Sequence, residues 1–82
     1  MSSFDAEMAA KNLLRQAETK IEEDGLRQGD PFTIEETLSA KQSVSITNIL
    51  RLIASGQRYK ARWRRSELGE NDKPNIHHFT VN

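Results

Sequence analysis

Cysteine is absent from this 82-residue chain, which excludes a disulfide framework and a thiolate metal site. No apolar run approaches the length of a membrane span. The opening "MSSFDAEMAAKNLL" carries acids where a signal peptide would have basic residues ahead of an apolar core. Both absences point to a soluble, cytoplasmic protein with no membrane contact. Apolar residues are also scarce, at 35% of the chain. One small domain over residues 1–82 therefore has a thin core, and dimerisation would help to bury it. There is no glycine-rich phosphate loop, no nucleophile elbow and no spacing of metal ligands. The expectation is a protein that binds without catalysing and without a cofactor.

Net charge is zero, but the two signs are segregated. Residues 1–36 hold nine acids and four bases, net −5, and residues 37–82 hold eight bases and three acids, net +5. Arg51, Arg58, Lys60, Arg62, Arg64 and Arg65 fall in one acid-free stretch, with Tyr59 and Trp63 between them. Such asymmetry suggests an acidic partner, either nucleic acid or protein.

The first segment reads as a helix over residues 2–25. Ser2 or Ser3 caps it, Asp5 and Glu7 suit its positive end, and Gly25 stops it. Ala6, Ala10, Leu13, Leu14, Ala17 and Ile21 lie on one stripe at 100° per residue. That stripe suits either the domain core or a second copy of the helix, and a homodimer through this N-terminal helix is expected.

After the loop "GLRQGDPF", Thr33 and Glu36 have the spacing of a capping box, which predicts a short helix over about residues 34–41. "QSVS" interrupts it, and Ser43 or Ser45 caps a third helix reaching about Ser55. Ile46, Ile49, Leu50 and Ile53 form its apolar side, with Thr47, Asn48, Arg51 and Ser55 opposite.

Residues 57–65 fit two patterns. In a helix, Tyr59 and Trp63 stack; in a strand, Tyr59, Ala61 and Trp63 face one way and Arg58, Lys60, Arg62 and Arg64 the other. "NIHHFTVN" has strand character and needs a partner. A basic β-hairpin over residues 57–82 supplies one, with the turn-rich "SELGENDKPN" as its connection.

The fold expected is α+β, with three helices followed by a C-terminal β-hairpin. The stretch "VSITNILRLIASG", residues 44–56, resembles the recognition-helix region of winged helix-turn-helix DNA-binding proteins of bacteria or phage. The resemblance implies a helix-turn-helix over residues 33–56. In it Leu38 is the core contact of the second helix, Val44 the apolar turn residue and Ile49 the core anchor of the third. It further implies that Thr47, Asn48 and Arg51 face a DNA groove.

Physical chemistry supports a nucleic-acid partner independently. Basic side chains release counterions condensed on phosphates, and Asn and Arg pair bidentately with adenine and guanine edges. The site expected comprises Thr47, Asn48, Arg51, Arg58, Lys60, Arg62, Arg64 and Arg65, on double-stranded DNA, in a small dimeric transcriptional regulator. The rival is an adaptor or inhibitor whose basic hairpin meets an acidic protein. Three plainer readings stand beside these. The arginines protect an edge strand, the acidic first third neutralises them, or the two rings roof the core. His77 and His78, adjacent on a strand, point to opposite faces and make a poor chelate.

Overall fold

In a computed structural model that describes residues 4–82, the chain forms helix α1 (Ala6–Asp24), strand β1 (Pro31–Glu36), helix α2 (Ala40–Ile53), and strands β2 (Ala61–Glu67) and β3 (Asn75–Val81). The strands make one antiparallel sheet in the order β1-β3-β2, so β1 and β2 are its two edges. Both helices pack on the same face of it. The α+β class holds, but the three-helix, winged-helix-like arrangement is corrected to two helices and three strands.

The first helix forms as its sequence dictates. Asp5 is the cap and accepts a hydrogen bond from the Met8 N–H at 3.1 Å. The caps expected at Ser2 or Ser3 lie outside the described residues. Gly25 ends the helix at φ 61°, a left-handed conformation that costs glycine little. Ala10, Leu13, Leu14, Ala17 and Ile21 are buried within the chain's own core, so that stripe is not open to a second copy.

Residues 31–36 are where the sequence misleads. They form a strand, with Phe32 and Ile34 buried and Pro31, Thr33 and Glu35 exposed. The capping box lies six residues later. The Gln42 N–H donates to Ser39 Oγ and the Ser39 N–H donates to Gln42 Oε1. A single helix then runs through "QSVS", so no helix-turn-helix exists over residues 33–56. Two assignments implied by the resemblance fall with it, since Leu38 and Val44 are exposed. Ile49 is only partly buried, and the fully buried residues of α2 are Ile46 and Leu50.

The hairpin forms between β2 and β3, beginning at Ala61, several residues later than expected. Phe79, at its centre, stacks on Phe32 with ring centroids 5.6 Å apart. A register shift between Trp63 and Arg65 bulges β2 at Arg64. In the connecting loop, a Cβ added to Gly69 would lie 1.9 Å from the Lys73 carbonyl oxygen, so only glycine fits.

Candidate nucleic-acid interface

The basic residues gather around edge strand β2 and the end of α2. The Trp63 N–H donates to the Ala54 carbonyl at 2.7 Å, tying the strand to the helix terminus. The Arg51 guanidinium sits 5.8 Å from the centre of the Trp63 ring, within cation–π range. Trp63 and Ala61 face the helices, so the rings do help roof the core: Trp63 is 8% exposed and Tyr59 packs against the same cluster. So placed, the Trp63 ring is not open to stack on the bases of a single strand. Arg62, opposite Thr80, projects from the uncovered face of the sheet.

The loop before β2 is held on two sides. Asn82 Nδ2 donates to the Gly56 and Tyr59 carbonyls at 3.0 and 2.7 Å. The Lys60 N–H donates to Glu18 of α1, and its ammonium pairs with Glu22 at 2.9 Å. The Glu22 hydrogen bond and charge raise the pKa of Lys60.

Intramolecular neutralisation thus claims part of the expected site. Lys60 belongs to Glu22, and Arg65 pairs with Glu67 at 2.6 Å. The Arg65 hydrogen bond and charge, with a smaller contribution from His78, lower the pKa of Glu67. Arg51, Arg58, Arg62 and Arg64 have no carboxylate partner among the described residues, and all four are exposed. Helix α2 contains no acid at all. Its outward side carries Val44, Asn48, Arg51 and Leu52. Thr47 is misplaced for base contact, because its hydroxyl is buried with no hydrogen-bond partner among the described residues.

A buried polar chain that sequence reasoning missed braces this edge. Trp63 Nε1 donates to Ser66 Oγ at 2.9 Å, and Ser66 Oγ lies 2.6 Å from His77 Nδ1. His77 Nε2 lies 3.0 Å from Glu36 Oε1. An ionised carboxylate only accepts, so His77 donates from Nε2 to Glu36; with a neutral ring Nδ1 then accepts from the Ser66 hydroxyl, which itself accepts from the indole. Ser43 of α2 donates to the same Glu36 oxygen at 2.7 Å. The Leu38 N–H and Asn75 Nδ2 serve the other. Burial alone would raise the Glu36 pKa; the hydrogen bonds from Ser43, Asn75, His77 and the Leu38 N–H outweigh it and bring the pKa below its ordinary value.

Ser66, His77 and Glu36 are the residue types of a nucleophile–base–acid relay, but they are arranged as a brace. His77 is wholly buried, and the Ser66 hydroxyl is engaged on both sides. Neither residue lines the two clefts beside the β2–β3 loop. His78 lies on the opposite face from His77, 3.6 Å from Glu67. Among the described residues, no group of three or more His, Asp or Glu could hold a metal ion. Nor is any helix among them long and apolar enough to cross a membrane.

No protein family, curated protein or solved structure matches this chain.

Proposed function

We propose that the chain is a small cytoplasmic double-stranded DNA-binding protein acting in transcriptional regulation. Its grip is the β2 edge, with Arg58, Arg62 and Arg64 on backbone phosphates and Asn48 and Arg51 of α2 toward base edges. One observation carries this reading. Among the described residues, four exposed guanidinium groups carried by the end of α2, the loop before β2 and β2 itself have no carboxylate partner, while Lys60 and Arg65 of the same segment have one. Unneutralised cations on a held backbone are what a phosphate array attracts. The winged-helix route to DNA is not part of the proposal; the grip is an edge strand and a flanking helix.

The test is fluorescence anisotropy of labelled duplex DNA of arbitrary sequence, at low and at near-physiological salt. Binding that falls steeply with salt supports the proposal, and no binding at low salt rejects it. A second reading has its own observation: Leu52 is 82% exposed on the outward side of α2, with Val44 at 45%. Apolar groups beside a basic edge suit an acidic protein partner. Competition by random duplex DNA separates the two, since a protein complex with its own apolar contacts resists it.

A further inference from the structure

We propose that the opposite edge of the sheet is a dimer interface, on which a second copy of this chain pairs β1 with β1 and α1 with α1 about a two-fold axis. The inference is independent of the DNA reading, because β1 and β2 are opposite edges.

Backbone geometry comes first. The Val81 N–H donates to the Asp30 carbonyl at 3.0 Å. Register then runs without a shift from Pro31 opposite Thr80 to Glu36 opposite Asn75. Hydrogen-bonded and non-bonded pairs alternate along an antiparallel ladder. The backbone groups of Phe32, Ile34 and Glu36 therefore turn toward β3, and those of Thr33 and Glu35 turn outward. An axis through Ile34 sets Thr33 opposite Glu35 of the second copy. Each such pair exchanges both of its bonds and leaves no free N–H between them. Pro31, which has no N–H to satisfy, falls at the end of the new ladder.

Side chains give the second argument. An open groove of about 590 Å³ runs between this edge and α1, with Ile34 in its floor and Arg15, Gln16, Thr19 and Glu23 along its wall. Neighbouring Lys20 is paired with Asp24, but Arg15 and Glu23 have no ion-pair partner among the described residues. They lie two turns apart on one side of α1. A two-fold axis beside Thr19 makes the paired helices antiparallel, so Arg15 of each copy meets Glu23 of the other. The groove wall is thus complementary in charge to itself, as an isologous interface requires. The buried Ala–Leu stripe of α1 takes no part.

The test combines sedimentation velocity across a concentration series with amide hydrogen exchange at Thr33 and Glu35. A dimer is expected whose Thr33 and Glu35 amides are protected when concentrated and exchange freely on dilution. Arg15→Glu or Glu23→Arg alone, both at exposed positions, should weaken it about tenfold or more, because each puts like charges in contact twice. The double variant should restore it. A chain monomeric at all concentrations overturns the proposal. So does a dimer with freely exchanging Thr33 and Glu35, or one that the charge swap neither breaks nor restores. Dimerisation without DNA binding, or the reverse, separates this inference from the proposed function.

Discussion

His77 Nε2 lies 3.0 Å from Glu36 Oε1, joining the central strand to an edge strand at a point where the imidazole is out of water and the carboxylate mostly so. The Glu36 carboxylate, with its side chain 12% exposed, accepts from Ser43, His77, Asn75 and the Leu38 N–H. One acid therefore gathers β1, the loop after it, α2 and β3. Glu36→Gln leaves an amide NH₂ facing donors, and should destabilise the fold at neutral pH by about 2–4 kcal/mol in urea unfolding.

Acid should weaken the same contact. The folded pKa of Glu36 lies below its ordinary value of 4.5, so its contribution is fully present above the unfolded value. It is lost as pH falls through the lower, folded one. Urea midpoints measured from neutral pH into acid should fall more steeply in the parent than in Glu36→Gln. Equal slopes would show that this carboxylate gives no pH-dependent stability.

The reasons this hub was hidden also explain which elements the sequence revealed. Helix α1 is readable because stripe and left-handed glycine agree along one continuous segment, although its cap is Asp5, which the sequence places in the first turn. The hairpin is readable because "NIHHFTVN" needs a partner strand. Residues 31–36 carry both a capping-box spacing and a period-two pattern, and the pairing that decides between them is with β3, some forty residues away. Ser43 has the residue type of a helix cap, yet it lies inside α2 because its hydroxyl is taken by Glu36 of β1, a partner that only the folded chain supplies. The basic site was half readable. Residue type showed where positive charge collects, but Lys60 and Arg65 lose it to Glu22 and Glu67 through the folded chain. Thr47 turned out half inward.

Ser66→Ala should leave the Trp63 indole N–H and His77 Nδ1 without their partner. Each is in a setting where an unmade hydrogen bond costs about 1–3 kcal/mol. The melting temperature of a domain this size should drop by about 4–8 °C per kcal/mol. An unchanged melt would mean that water replaces the hydroxyl without loss.

Trp63 offers an optical check on the closed stacking route. Being 8% exposed and bonded to Ser66, it should emit as a buried indole. A single-stranded oligonucleotide should not quench it. Strong quenching would require the ring to leave the core, and would favour single-stranded binding.

The arginines on the β2 edge should not be equivalent to their neighbours in binding. Among the described residues Arg58, Arg62 and Arg64 have no carboxylate to give up, so each that contacts a phosphate should contribute about 0.9 to the salt slope of duplex binding. Lys60 and Arg65 must first exchange Glu22 and Glu67 for the phosphate, which cancels much of the gain. Alanine at Arg58, Arg62 and Arg64 together should therefore flatten the salt dependence and abolish binding near physiological salt. Alanine at Lys60 and Arg65 together should lower affinity far less, while exposing Glu22 and Glu67. If both sets weakened binding equally, the measured charge would be that of the whole segment, and the folded ion pairs would not select the site.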